Sequence, residues 1–247
     1  MTSIDLNCDL GEGLATDAQI IPLISSANIA CGYHAGDVDT MKRTIELCMQ
    51  HNVAIGAHPS WPDKKNFGRT EMQKTAIEII ELIINQLELI NQIAKQFGTA
   101  ITHVKPHGAL YNQSAKDKTI ASAIADAVNV FDPSLVLFGL SGSFSITVAK
   151  EKGLQTANEV FADRTYTDEG SLTARSHPNA LIESMDAAVE QALMMIQQQK
   201  VISTSGKIIP VLADTICLHG DGKHAVEFCN AIVQSLKTNK IDIKPLV

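Results

Sequence analysis

Residues 53–60 read Val53-Ala54-Ile55-Gly56-Ala57-His58-Pro59-Ser60, and this stretch decides the fold prediction. A short apolar run with the length of a buried β-strand ends at once in a histidine and a proline. In β/α barrels and open α/β sheets, the carboxyl ends of parallel strands converge on the ligand site. His58 therefore stands where such folds place functional side chains.

Four more polar clusters follow short apolar runs in the same way. They are Asn7-Cys8-Asp9-Leu10-Gly11-Glu12-Gly13, Cys31-Gly32-Tyr33-His34-Ala35-Gly36-Asp37, Lys105-Pro106-His107-Gly108 and His219-Gly220-Asp221-Gly222. Titratable side chains and glycines that recur at strand ends along the whole chain are hard to explain as ordinary loop chemistry. They indicate an enzyme whose site is built from several strands at one end of a barrel or sheet.

Strand-like and helix-like runs alternate throughout, which predicts a parallel sheet with right-handed crossovers. The predicted strands are 3–8, 27–31, 53–58, 101–105, 135–140, 156–161 and 209–218. Seven strands in 247 residues favour an α/β fold, an irregular seven-stranded β/α (TIM-like) barrel, with a doubly wound open sheet as the alternative. The composition shows no linker, so a single β/α-barrel domain over residues 1–247 is expected.

Local signals place some helices and loops. The capping box Thr70-Glu71-Met72-Gln73 predicts the start of the longest helix, and Pro178 predicts the first turn of another. The loops 59–69 and 163–179 are long, polar and positioned after strands. We expect both to overhang the site as lids.

Composition and charge exclude several classes of protein. Apolar residues make up 45% and charged residues 19% of the chain, as in a globular protein. A net charge of −7 with scattered lysines and arginines argues against nucleic acid and anionic membrane surfaces as partners. Five cysteines without a C-x-x-C pair, and a start without a signal-peptide pattern, predict a cytoplasmic location.

The strand ends supply a set of candidate catalytic residues. They are Asp9, His58, Lys105, His107, Glu159, Asp163 and His219. Carboxylates, histidines and a lysine that converge on one point can act as the acids, bases and charges that amide chemistry requires. Structural roles stay open: Asp9 can cap a turn, His58 can be a core residue, and the carboxylates beside Arg164 can form a structural clamp.

Binding residues are predicted from the same clusters. Asn7, His34 and Arg164 are candidate substrate ligands, and the planar guanidinium of Arg164 suits a carboxylate or a phosphate. Asp9, His58 and His107 form a candidate site for a bound divalent metal, because one carboxylate and two imidazoles suit Zn²⁺ with an open position. Metal-free acid–base chemistry is the other interpretation of these three residues.

The ordered motifs resemble those of the LamB/YcsF family over nearly the whole chain. The matching segments are 5–12, 28–37, 56–59, 104–111, 159–164 and 219–221. The resemblance implies a variant β/α barrel related to that of polysaccharide deacetylases, whose Asp–His–His metal site would correspond to Asp9, His58 and His107. It also implies an ATP-dependent 5-oxoprolinase that opens the lactam of 5-oxo-L-proline to L-glutamate, with ATP and Mg²⁺ as cofactors. Partner subunits B and C are expected.

Two other functions stay open at this point. The chain can be a metal-dependent amide or acetamide hydrolase of the deacetylase type, or a non-catalytic subunit that presents substrate to its partners. Neither G-x-x-x-x-G-K-[ST] nor G-x-G-x-x-G occurs, and Ser141-Gly142-Ser143 is only a weak candidate for a phosphate cradle. The sequence leaves open which subunit binds ATP.

Overall fold

The structure is a computed structural model that describes residues 2–219 and 224–246. The strands and helices, in chain order, are β1 Thr2–Leu10, α1 Asp17–Ile20, β2 Ser26–Ala30, α2 Val38–Gln50, β3 Ala54–His58, α3 Ala76–Gln96, β4 His103–Val104, α4 Gly108–Lys116, α5 Lys118–Phe131, β5 Val136–Leu140, α6 Phe144–Glu151, β6 Thr156–Phe161, α7 Met185–Gln198, β7 Lys200–Ile202, β8 Ile208–Pro210, β9 Thr215–His219, α8 Ala225–Thr238 and β10 Ile241–Ile243. Within these described ranges, none of the helices combines the length and apolarity that a bilayer crossing requires.

Seven parallel strands close into a barrel in the order β1-β2-β3-β4-β5-β6-β9, and β9 returns to pair with β1. The predicted seven-stranded barrel is confirmed, and the pairing of β1 with β9 excludes the open sheet. Strand β10 lies outside the ring, parallel to the first residues of β1. Strands β7 and β8 form an antiparallel hairpin before β9.

Alternate residues of β1 point into the barrel and carry polar side chains. Asp5 accepts hydrogen bonds from the hydroxyls of Ser25 and Ser26 at 2.6 and 2.7 Å. Asn7 donates to Thr215 Oγ1 on the neighbouring strand β9 at 2.7 Å. A strand buried on both faces usually reads as a continuous apolar run. Here a polar interior is tolerated because its groups are hydrogen-bonded to one another.

His103 packs inside the barrel. Its ring stacks on Phe138 with centroids 4.3 Å apart, and its Nε2 lies 3.0 Å from Asn28 Oδ1. Gly56 on the neighbouring strand makes room for it, because a Cβ at that position would overlap the imidazole ring. The glycine in the apolar run of β3 is therefore a packing requirement of the barrel interior.

Three of the predicted boundaries are wrong. Helix α3 begins at Ala76 behind a capping box of Thr75 and Glu78, because the backbone N–H of Thr70 instead donates to Asp63 and holds that segment outside the helix. Helix α7 begins at Met185 with Ser184 as its N-cap, and Pro178 lies in the preceding loop. The predicted strand 209–218 is divided into the hairpin strand β8 and the barrel strand β9.

Candidate active site

A cavity of about 510 Å³ opens at the carboxyl ends of the barrel strands. The predicted site residues that line it are Asp9, His58, Lys105, His107, Arg164 and His219. Both predicted lid loops contribute to its walls, the first through Phe67 and Arg69 and the second through residues 171–176. Gly220, Asp221 and Gly222 of the last cluster lie outside the described residues. Strand ends that are distant in sequence thus meet at one cavity.

Lys105 forms the floor of the cavity and is only 2% exposed. Its ammonium lies 2.8 Å from Asp9 Oδ1 and 2.8 Å from Glu159 Oε1, and it donates to Asn7 Oδ1 at 3.3 Å. Burial alone would lower the pKa of Lys105, but the negative charge of Asp9 and its other neighbours outweighs burial and raises the pKa well above its usual value. Lys105 is therefore a fixed positive charge.

Asp9 links Lys105 to the histidines of the site. Its Oδ1 also accepts from Asn28 at 2.9 Å, and its Oδ2 lies 3.3 Å from His58 Nε2. Burial would raise the pKa of the Asp9 carboxyl, but the positive charges of His58 and Lys105 hold it well below its usual range. Asp9 therefore stays ionised and works as a charge rather than as a proton carrier.

Three histidine rings pack together beside Asp9. His34 stacks on His107 with centroids 3.8 Å apart, and His58 meets His107 edge-on at 4.8 Å. His58 Nδ1 lies 2.7 Å from the carbonyl oxygen of Lys105, and His107 Nε2 lies 2.9 Å from that of Phe67. Because a carbonyl only accepts, both nitrogens carry protons. The other two nitrogens, His58 Nε2 and His107 Nδ1, face each other at 2.9 Å.

The burial of His34 and His107 lowers the pKa of both rings. Burial, followed by the charge on His58, lowers the pKa of His107 well below its usual value. Burial likewise lowers the pKa of His34 to about 3. His34 and His107 are therefore neutral imidazoles near pH 7, which is the form that accepts a hydrogen bond or binds a metal.

A second acid–base pair faces the cavity from the strand β9 side. His219 Nδ1 lies 2.9 Å from Asp163 Oδ2, and the His219 backbone N–H donates to the same oxygen at 3.2 Å. Burial would raise the pKa of Asp163, but the charge of His219 lowers it below its usual value. With Nδ1 held by the carboxylate, Nε2 of His219 remains to take or give a proton in the cavity.

The three predicted substrate ligands occupy different depths. Arg164 lines the cavity, but its Nε donates to Ala180 O at 3.2 Å and its Nη2 to Thr173 O at 2.6 Å, so it also holds the second lid loop in place. His34 is 2% exposed, and its ring lies against His107. Asn7 is fully buried beside Lys105, so it acts on a substrate only through that residue and its carboxylate partners.

The predicted metal triad is brought together only in part. His58 and His107 touch each other, and Asp9 lies 3.3 Å from His58, but Asp9 is already bound by Lys105 and Asn28. The described ranges contain two groups of possible metal ligands, and within each group the ligand atoms lie within 4.8 Å of one another. They are Glu12 with His34, His58 and His107, and Asp9 with Cys217 and His219. The histidine-rich group has Glu12 where the sequence suggested Asp9.

Several residues at the site are not singled out by the sequence pattern. Asn28 lies within the apolar run of β2 and reaches Asp9 only because β1 and β2 pair with Asp9 opposite Asn28. Tyr111 lines the cavity, and burial, then the charge of Glu159, raises its pKa well above its usual value. Arg69 and Arg175 are exposed and line the mouth. Only the folded loops show that these arginines face the same cavity.

Comparison with known proteins gives full-length matches. The model of the LamB/YcsF family matches residues 4–247. The A subunit of the 5-oxoprolinase of Staphylococcus haemolyticus is 53% identical over 248 residues, which cover 98% of this chain and 99% of that one. The crystal structure of a lactam utilization protein from Thermus thermophilus is similar with a TM-score of 0.92 at 37% identity, covering 98% and 99% of the two chains. The peptidoglycan deacetylase PdaC from Bacillus subtilis, with a TM-score of 0.52 at 13% identity over 99% of this chain and 88% of its own, shares the fold.

Proposed function

The chain belongs to the LamB/YcsF family, and from this premise we propose that it is the A subunit of an ATP-dependent 5-oxoprolinase. In this role it opens the lactam of 5-oxo-L-proline to L-glutamate, with ATP hydrolysis by the complete enzyme. The observation that carries the proposal is the 53% identity, over 98% of the chain, to a protein named as the A subunit of 5-oxoprolinase. The geometry of the cavity supports it, because charges and proton carriers suited to amide hydrolysis line its walls.

Opening a lactam requires a charge to stabilise the oxyanion, a base for water and an acid for the ring nitrogen. The ammonium of Lys105 is saturated by Asp9, Glu159 and Asn7, so it holds these groups at the cavity floor rather than donating to the carbonyl oxygen. His219, oriented by Asp163 through Nδ1, removes a proton from water and returns it to the leaving nitrogen through Nε2.

The substrate and its activated form are anions, and the cavity mouth is cationic. Arg69, Arg164 and Arg175 line the cavity, and the charge of Arg175 is among the causes that lower the pKa of Arg164 to about 10, after burial. Two arginines that repel each other near one cavity favour an anionic ligand between them. The guanidinium fork suits a carboxylate or a phosphoryl group.

The ATP-dependent part of the reaction is proposed to require the partner subunits B and C. The relatives are named as one subunit of an enzyme, and the sequence carries neither common nucleotide motif. The loops 59–69 and 163–179 cover the cavity, so a partner that docks there would exclude water and deliver an activated substrate. The five cysteines are buried thiols, which fits a reducing cytoplasm.

The proposal is tested by following glutamate release from 5-oxoproline with the purified chain, with and without subunits B and C, ATP and Mg²⁺. We expect turnover only with all components, and a loss of about 10²–10⁴-fold in His219→Gln. His51→Gln is the matched control, because His51 is exposed at the end of α2 and does not line the cavity.

Four outcomes would contradict the proposal. Robust ATP-coupled turnover by the chain alone would remove the need for partners. Acetate release from acetamide without ATP, combined with no glutamate formation, would support a deacetylase-type hydrolase. Full activity of the complex with the His219→Gln chain would remove His219 from the mechanism, and full activity with every cavity variant would leave the chain a substrate-presenting role.

A further inference from the structure

We propose that Glu12, His34, His58 and His107 bind one divalent transition-metal ion, with Zn²⁺ as the best match in ligand type. Each residue offers one ligand atom, and these four atoms all lie within 4.8 Å of one another. Three imidazoles and one carboxylate form a donor set that Zn²⁺ readily accepts. This set differs from the triad expected from the sequence, since Glu12 takes the place of Asp9 and His34 is added.

The orientation of two rings is already that of metal ligands. His58 and His107 each bind a backbone carbonyl through one ring nitrogen, at 2.7 and 2.9 Å, and this turns their remaining nitrogens towards a common point. Metal-bound histidines almost always donate their other N–H to such an outer partner, which fixes the tautomer and the ring orientation. In this site the outer partners are the carbonyl oxygens of Lys105 and Phe67.

The spacing of the two rings also suits an ion between them. His58 Nε2 and His107 Nδ1 face each other at 2.9 Å, while the other nitrogen of each ring is held by a carbonyl oxygen. Tetrahedral Zn–N bonds of about 2.0–2.1 Å separate two ligand nitrogens by roughly 3.3 Å. The observed 2.9 Å separation therefore requires only a small opening of the rings.

The other two ligands lie close by. Glu12 Oε1 is 3.4 Å from His34 Nε2 and 3.7 Å from His107 Nδ1. His34 Nδ1 is buried and makes no hydrogen bond with any part of the chain that the structure describes. His34 Nε2, which faces Glu12, is the nitrogen that His34 offers to the ion, and stacking on His107 holds the ring in place.

Asp9 is better suited as a neighbour of the ion than as a ligand. Its Oδ1 is held by Lys105 at 2.8 Å, so metal binding at Asp9 would place two cations on one carboxylate. Its Oδ2 faces His58 and supplies compensating negative charge beside the ion. Glu12, His58 and His107 line the cavity, which gives the ion an entry path and access to a water molecule or substrate.

The test measures metal binding directly. The chain is stripped with a chelator, and Zn²⁺ binding is followed by competition with a chromophoric indicator, with Co²⁺ absorption as a report of coordination geometry. We expect one ion per chain, a Tm that rises with Zn²⁺ concentration, and a loss of about tenfold or more in affinity in Glu12→Gln and in His34→Gln.

Matched controls change the same residue types outside both groups of possible ligands. Glu71→Gln alters a cavity-lining carboxylate and His51→Gln alters an exposed histidine at the end of α2, so their Zn²⁺ affinity should equal that of the unmodified chain. Far-UV circular dichroism confirms that each variant is folded. The absence of stoichiometric binding, or unchanged affinity in folded Glu12→Gln and His34→Gln, would overturn the proposal.

Discussion

Replacing Lys105 by methionine tests the charge balance on which the site depends. Asp9 Oδ1 and Glu159 Oε1 each lie 2.8 Å from the ammonium, and the two acidic residues are 7% and 0% exposed. Removing one partner of a buried ion pair typically costs about 3–5 kcal/mol, because the remaining charge stays desolvated without compensation. We expect the free energy of unfolding of Lys105→Met to fall by about this amount in urea denaturation followed by circular dichroism.

A double-mutant cycle separates this effect from lost packing. In Lys105→Met/Glu159→Gln the second carboxylate leaves with the ammonium, and Asp9 keeps Asn28 at 2.9 Å and His58 at 3.3 Å. About 2 kcal/mol of the lost stability should return relative to the sum of the two single variants. Glutamate formation should stay low, because Lys105 is missing in the single variant and in the double variant.

A partly exposed lysine provides the control for this cycle. Lys152 Nζ lies 2.7 Å from Asp126 Oδ1, but the two side chains are 30% and 42% exposed. Lys152→Met should therefore cost less than about 1 kcal/mol despite the shorter contact. A Lys105→Met protein as stable as the unmodified chain, or strict additivity in the cycle, would refute the view that Lys105 holds two buried carboxylates.

Three further predictions concern the dyad and the backbone. Asp163→Asn should lower glutamate formation by the complete enzyme about 10²-fold or more, since the carboxylate no longer stabilises a protonated His219; an unchanged steady-state rate would contradict this role. Because the folded-state pKa of Asp163 lies below its usual value, its stabilising contribution is complete above about pH 4 and is lost as the pH falls through the depressed pKa. Urea unfolding across a pH series should thus show the difference between the unmodified chain and Asp163→Asn shrinking below about pH 4, and a constant difference would argue against it. Gly36 and Gly153 both have positive φ, 71° and 84°, but only at Gly36 would a Cβ collide with the carbonyl oxygen of Gly11. Gly36→Ala should therefore destabilise the chain by more than the ~1–2 kcal/mol expected for Gly153→Ala, and equal thermal shifts would count against the clash.

The barrel was predictable because its signals are local. Five of the seven predicted strands end in a polar cluster, as in Ala57-His58-Pro59, and this pattern can be recognised without knowing which strands pair. Helix starts were harder to predict where two local capping signals compete. Thr70 and Thr75 each precede a Gln or Glu by three residues, and only the folded loop, in which Asp63 accepts from Thr70, selects Thr75.

The site was predictable by residue type and less so by geometry. Asp9 and Lys105 stand out as charges next to apolar runs, and the structure places them 2.8 Å apart. Asn28 does not stand out, because its role depends on lying opposite Asp9 in the paired strands. The direction of Arg164 depends on the carbonyl groups of a loop that closes 9 to 16 residues later. Strand register and loop closure of this kind cannot be predicted from any short stretch of the sequence.

The pairing of β1 with both β2 and β9 has a consequence for synthesis on the ribosome. One edge of β1 can pair with β2, which begins at Ser26, soon after β1 is synthesised. The other edge can pair only after β9 is synthesised, beginning with Thr215, whose hydroxyl donates to Asp5 from 210 residues later in the chain. At about 5–20 residues per second, that wait lasts roughly 10–40 seconds. During this interval the nascent polypeptide carries an uncapped strand edge that can pair with a neighbouring chain. A polypeptide stalled before β9 therefore has no closed barrel and is an aggregation hazard. Formation of the cavity thus depends on elongation speed and on chaperone access to the nascent chain.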